Sequence, residues 1–435
     1  MNSEQANVDH AEQMRAHWKQ ASRRELEAYQ LQRVNRLLQV VLRENAFYRE
    51  EYRRHNLDEQ LQLTSLAELA ELPFMNKSAW INDDESGIAK HHSFEVHRYR
   101  RYHRTSGTRG RPMVILDTES DWQWWISTWQ YVLDACSITE QDRVMMAFSF
   151  GPFIGFWSAH DACLYRRCMV IPSGGMSTEA RIELIRSAQP TVLFSTPSYA
   201  IHLAQQAHTN GLAKGLDSIR CVFVAGEPGG SVASVRQAIE ELYGAQVMDH
   251  AGATEIGPWG FGSRDGTGLH VIESEFIAEF LPAEPGTQGQ ELVLTSLGRT
   301  GAPVIRYRTG DLVTPYWVKS IEEQSAQGTS FVRLDQGVLG RIDGMVVVRG
   351  VNIFPSSIDA IVREYPGVGE YRLVVSKSGA LDDLCLEIED RGNCQEALSK
   401  QLQSRLQLRV QVRQVGLGSL PRHEGKARRI LDLRS

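Results

Sequence analysis

The 435-residue chain has no run of about 18 apolar residues, so no transmembrane helix is expected. It has no basic excess. Its 47 Lys and Arg face 53 Asp and Glu, a formal charge of -6, which argues against a dedicated nucleic-acid binder. Residues 1–12 are polar and acidic and hold no apolar signal core. The six cysteines (Cys136, Cys163, Cys168, Cys221, Cys385, Cys394) form no CxxC pair. That scatter fits a reducing cytoplasm better than a disulfide framework. No GxxxxGK[ST] phosphate loop is present. Lysine is scarce: 8 of the 47 basic residues, against 39 arginines. A coding bias accounts for most of that, yet it marks any lysine in a motif-like setting, because a compact mobile charge differs from a planar fork.

What is present reads as layered α/β. With 42% hydrophobic and 23% charged residues, the composition is that of a globular protein. Residues 13–56 read as one helix, with Leu26, Val34, Leu37, Leu38 and Val41 on one face. From residue 113 to 249 strand-like runs alternate with helical ones. Trp122, Trp125 and Trp129 share a helical face and are expected in the core. Residues 270–335 look mostly β. Residues 345–435 read as strand, helix, strand, strand, helix, strand, with helices at 358–364 and 395–406. The expected architecture is a large multi-subdomain α/β domain with a β-rich part, residues 1–340, followed by a small α+β domain, residues 341–435, whose mobility is implied by the resemblance given below. No internal repeat is visible.

Six segments carry candidate chemistry. Thr105-Ser106-Gly107-Thr108-Arg109-Gly110 offers backbone N–H groups, hydroxyls and charge for a polyphosphate, or is a flexible turn. Ala225-Gly226-Glu227-Pro228 follows an apolar strand, where open α/β sheets bind ligands. In His250-Ala251-Gly252-Ala253-Thr254-Glu255, Thr254 suits a phosphate and Glu255 a magnesium ion, while His250 is equally a substrate contact or a structural histidine. Asp311, in Tyr307-Arg308-Thr309-Gly310-Asp311, can accept from both hydroxyls of a ribose, or belongs to a charged turn. Gly340-Arg341-Ile342-Asp343 stands at the expected domain boundary. Pro421-Arg422-His423-Glu424-Gly425-Lys426 closes the series.

In this order and spacing, the six segments resemble the adenylate-forming, AMP-binding ligase superfamily over residues 26–432. Leu72-Pro73-Phe74 followed by Lys77, Ser195-Thr196-Pro197-Ser198-Tyr199-Ala200, and Arg349-Gly350-Val351-Asn352-Ile353-Phe354-Pro355 resemble its phenylacetate–CoA ligase branch. The resemblance implies an acid–thiol ligase that uses ATP, Mg and coenzyme A. Thr105 to Gly110 would hold the triphosphate. Gly226, Glu227, Pro228 and Gly252 would line the nucleotide, with Thr254 at the α-phosphate and Glu255 at the metal. Asp311 would take the ribose and Arg341 lie close by. Asp343 would be the hinge that brings Lys426 to the adenylation site. Phe150, Phe153, Phe156, Trp157, His250 and Ala251 would line the acid pocket, which suits an aromatic carboxylic acid. Ala251 stands where relatives carry a tyrosine that stacks on adenine. His270 has no cysteine near it, so no zinc is expected. A carrier-protein thiol or an amine is the alternative acceptor, and a catalytically lost nucleotide-binding homologue is the alternative class. Cysteine usage, charge and the lack of long apolar runs predict a cytoplasmic protein without nucleic-acid or membrane partners, and the resemblance implies a homodimer.

Overall fold

A computed structural model describes residues 3–57, 60–82, 84–105, 112–148, 151–283, 287–342, 346–348, 351–378, 381–406, 408–422 and 429–434, with the side chains of 3–9, 156, 347, 351, 352, 356, 378, 381 and 382 set aside. The N-terminal stretch is three helices: α1 (Ser3–Gln20), α2 (Arg23–Glu44) and α3 (Ala46–Arg54). This corrects the single helix expected over residues 13–56, and two side chains explain it. Ser22 caps α2 in a reciprocal box with Glu25. The buried Asn45 accepts from the Tyr48 amide at 3.0 Å and donates to His91 O and Ser93 Oγ. Its side chain thus caps α3 and fastens the break to the rest of the fold.

After the one-turn α4 (Lys77–Trp80), β1 (Tyr99–Arg104) and β2 (Val114–Thr118) form a hairpin. The central layer is an eleven-stranded sheet among the described residues, in the order β10-β11-β12-β13-β9-β8-β7-β6-β5-β3-β4. One half is parallel: β3 (Arg143–Met146), β4 (Met169–Pro172), β5 (Val192–Ser195), β6 (Cys221–Val224) and the start of β7 (Gln246–Ala253). The helices between them are α5 (Glu119–Ala135), α6 (Ile154–Tyr165), α7 (Thr178–Ala188), α8 (Pro197–Thr209) and α9 (Ala233–Tyr243), α5 leading into β3. The other half is antiparallel: the end of β7, β8 (Gly257–Gly262), β9 (Gly268–Val271), β10 (Phe276–Pro282), β11 (Gln290–Ser296), β12 (Tyr307–Tyr316) and β13 (Arg333–Arg341). A short α10 (Ile321–Gln327) joins the last two.

Period-two patterning splits the parallel strands between two cores. Val144, Met146, Phe194 and Phe223 face a core shared with α5 and the antiparallel half, where Trp122, Trp125 and Trp129 are buried as expected. Met145, Leu193, Val222 and Val247 face α7, α8 and α9. Residues from β14 (Val346–Val348) onward build their own core. It packs α11 (Pro355–Val362) and α12 (Gln395–Leu406) on a four-stranded sheet ordered β18-β17-β16-β19. Those strands are β16 (Val368–Ser378), β17 (Leu381–Asp390), β18 (Gln411–Gln414) and β19 (Ile430–Asp432), and β15 (Val351–Ile353) pairs with β14. The short β14–β15 hairpin was not expected as a separate element. Gly340, just before this unit, is required by packing: a Cβ there would sit 2.5 Å from the Phe354 ring.

Cys136 and Cys221 are joined as a disulfide, which corrects the expectation of unpaired thiols. They lie 85 residues apart in sequence, so their spacing gave no sign of it. Among the described residues no helix is long and apolar enough to cross a membrane.

Candidate functional site

The site is built where β7 changes partners. Gln246–Asp249 pair in parallel with β6, and His250–Ala253 pair antiparallel with β8. The carboxyl ends of the parallel strands therefore meet the antiparallel half at Thr254 and Glu255, a position where open sheets bind ligands. Arg299, fully buried, grips that turn from behind. Its Nη1 donates to Thr254 O at 3.1 Å and to Glu255 O at 2.9 Å. Its Nε donates to Asp117 Oδ1 at 2.8 Å, and Trp125 Nε1 donates to the same oxygen at 3.2 Å. Burial alone would raise the Asp117 carboxyl; Arg299 and His103 outweigh it and hold it below the ordinary range.

Glu255 points away from this anchor. Its Oε1 lies 3.4 Å from Lys77 Nζ and accepts from Tyr307 Oη at 3.3 Å. Burial favours the neutral acid, but Lys77, the residue's own amide and Arg341 hold the carboxyl below its usual value. Burial, together with the charge of Glu255, pushes the Tyr307 phenol well up, so it stays a donor. Lys77 reaches the site because Met75 is stitched to β12. Met75 N donates to Arg306 O at 2.9 Å, and Arg308 N donates to Met75 O at 2.8 Å. Trp80 then stacks on Tyr307, with centroids 4.5 Å apart. Sequence reading placed Lys77 outside the site residues. Two signals pointed to it: the scarcity of lysine, and its place after Leu72-Pro73-Phe74 in a segment that resembles the family.

Asp311 and Arg341 face each other across β12 and β13, 3.5 Å apart. Arg341 Nη2 also donates to Thr309 O at 3.1 Å. Gly310 between them adopts φ +74°, a conformation that favours glycine.

The turn after β6 is fitted between α8 and β7. Glu227 Oε1 accepts the Ser198 amide at 2.8 Å. A Cβ on Gly229 would sit 2.3 Å from Pro197, and one on Gly230 2.6 Å from Asp249 Cβ. Asp249 accepts from the amide and hydroxyl of Ser231 at 2.8 and 2.6 Å, and burial pushes its carboxyl up to about 6.

The expected acid-pocket residues divide. His250 is buried, its Nδ1 2.8 Å from Gly260 O and its ring 4.1 Å from Trp129. Burial pushes it down to about 4, so it is neutral. Ala251 lies opposite Gly260. Phe153 and Trp157 stand at the start of α6, each 39% exposed, and Trp157 Nε1 donates to Gly151 O at 2.9 Å. Phe150 and the Phe156 side chain lie outside the described residues. So do Ser106, Gly107, Thr108, Arg109, Gly110, Asp343 and Lys426. The base of the first of these segments is visible: Thr105 N donates to Met113 O at 2.9 Å, and Thr105 Oγ1 accepts the Met113 amide.

The AMP-binding enzyme model matches residues 103–284, and the AMP-binding enzyme C-terminal domain model matches residues 350–434. A phenylacetate–coenzyme A ligase of Pseudomonas putida is 31% identical over 395 residues, 86% of each chain. The chain belongs to the phenylacetate–CoA ligase branch of the AMP-binding enzymes. A solved 2-hydroxyisobutyryl-CoA ligase in the postadenylation state, complexed with 2-HIB-AMP, overlays on it with a TM-score of 0.86 at 27% identity. The alignment covers 96% of this chain and 92% of that one. The same ligase in the thioesterification state, with 2-HIB-AMP and CoA, overlays at 0.70 over the same shares and at 28% identity. The chain thus overlays better on that ligase's postadenylation state than on its thioesterification state.

Proposed function

We propose that the chain activates a carboxylic acid with ATP and passes the acyl group to the thiol of coenzyme A. In the first step a carboxylate oxygen bonds to the α-phosphorus and pyrophosphate leaves. In the second the thiol sulfur bonds to the acyl carbon, AMP leaves, and the thiol proton is lost to solvent. The observation that carries this reading is the convergence of Glu255, Lys77, Tyr307, Asp311 and Arg341 at the seam of the sheet.

Such a transfer asks a protein for positioning and for charge neutralisation. Asp311 accepts the two ribose hydroxyls, with Arg341 beside it. The Glu227 turn borders the base, and Thr105 anchors the triphosphate segment 106–110. Thr254, held through its carbonyl by Arg299, faces the α-phosphate. Lys426 neutralises charge as carboxylate and phosphate meet. Residues 341–435 move as the second unit, about Asp343.

Glu255 fits a magnesium ion, as one ionised carboxylate whose Oε1 makes only long contacts, 3.3 and 3.4 Å. One or two carboxylates plus substrate phosphates is the usual magnesium arrangement. Bound there, the ion would offset phosphate charge. The acid is proposed to be aromatic, because Phe153 and Trp157, part-exposed at the start of α6, offer flat apolar faces.

The test is ATP–pyrophosphate exchange over a panel of aromatic and aliphatic acids, followed by the mass of the product formed with CoA. Exchange only with aromatic acids and a CoA thioester are expected. ATP binding without exchange for any acid would leave a nucleotide-binding homologue instead.

A further inference from the structure

Two side-chain hydrogen bonds among the described residues join the C-terminal unit to the parallel half of the sheet: Ser234 Oγ donates to Ala360 O at 2.8 Å, and Arg429 reaches Ser198, a contact that the roles above leave unused. Arg429 directly follows residues 423–428, the segment that carries Lys426. Its Nε donates to Glu370 Oε1 at 2.6 Å and its Nη2 to Glu370 Oε2 at 3.2 Å. Asp359 lies 3.8 Å away, and the guanidinium stands 5.0 Å from the Tyr371 ring centre. Leu373 N donates to the Arg429 carbonyl at 2.7 Å. The side chain is thus fixed within its own unit and is only 11% exposed. Nη1, the nitrogen nearest Asp359, also reaches out and donates to Ser198 Oγ at 2.9 Å. The Ser198 amide in turn holds Glu227. The other foot of the segment, Arg422, pairs with Glu389 at 2.6 Å inside the C-terminal unit.

We propose that the Arg429–Ser198 contact is the latch that registers the C-terminal unit for the first half-reaction. It rests on the ligase reading. Arg429 is a positioning residue: it holds the C-terminal unit against the start of α8, where the Ser198 amide holds Glu227. Its carboxylate partners travel with it, so releasing the latch costs one hydrogen bond to a neutral hydroxyl and strands no charge. With Ser234 Oγ on Ala360 O it helps to register the unit, and it is weak enough to break between half-reactions.

The test is Ser198→Ala in the full chain, with two rates measured: pyrophosphate exchange, and thioester formation from separately prepared acyl-adenylate and CoA. Exchange should fall about tenfold in kcat, the effect of one charge-assisted hydrogen bond, with the KM for ATP little changed. Thioester formation should hold or rise. Ser198→Thr, which keeps the hydroxyl, should restore exchange. Arg429→Lys keeps the charge beside Glu370 but loses the reach, and should repeat the split. Normal exchange in Ser198→Ala, or an equal fall in both rates, would overturn the latch. A wild-type chain inert with every acid would instead overturn the ligase reading on which the latch rests.

Discussion

Two regions bring charge to the proposed adenylation centre, and the fold holds them in opposite ways. Glu255 hangs from a turn gripped by Arg299, whose partner Asp117 is, like itself, fully buried. The feet of the Lys426 segment are held by Arg422, 41% exposed, and by Arg429, whose outward bond ends on a hydroxyl. A buried pair cannot open without leaving an uncompensated charge. The Arg429–Ser198 bond can open without stranding a charge, because Glu370 and Asp359 stay beside the guanidinium. The first arrangement suits a wall that never moves, and the second suits a group that must arrive and leave.

The sharpest way to break this contrast is to cut the buried pair. Arg299→Met should cost about 3–5 kcal/mol in urea unfolding, because Asp117 is left charged and dry. A loss under 1 kcal/mol would mean that the wall is not anchored there. Lys426→Ala should lower adenylation by about 10²–10³-fold, the usual effect of removing one stabilising donor, while sparing thioester formation from preformed adenylate. Equal losses in both would undo the arriving-and-leaving account.

Asp249 tests the wall through pH. Burial raises its carboxyl to about 6, so folding takes up a proton and stability falls as pH rises from about 4 to 6. Asp249→Asn keeps an acceptor for Ser231 and removes that fall. Its stability relative to wild type should climb between pH 4.5 and 7, by no more than about 3 kcal/mol at about 1.4 per pKa unit. A pH-independent difference would refute the assignment. Arg422→Gln should cost about 1–3 kcal/mol, since the buried Glu389 carboxylate loses its charged partner but keeps the Gly418 and Leu420 amides as donors.

Much of the frame was legible because it is local. The helix over 178–188 and the strands ending at Ser195 and Val224 follow from periodicity and from turn residues that lie beside them. Glu255, Asp311 and Arg341, read from separate segments, do come together. What escaped depends on partners far along the chain. Asn45 stops a helix by bonding near residues 91 and 93. Lys77 meets Glu255 across 178 positions, and Arg299 meets Asp117 across 182. The disulfide is of the same kind. No periodicity records a contact of that range. The helix starting at Ile154 was obscured by its aromatic approach, which reads equally well as a strand.

The change of partner within β7 also bears on how such a protein can diversify. Inserting one residue between Asp249 and Glu255 would turn every later side chain of the strand to the opposite face and put β8 out of register. That stretch is closed to changes of length. The start of α6 is open to them: Phe153 caps it with no side-chain hydrogen bond, and Trp157 stands half in solvent. In the proposed acid pocket, new acids would then be accommodated by remodelling α6, while the proposed nucleotide machinery stays in frame.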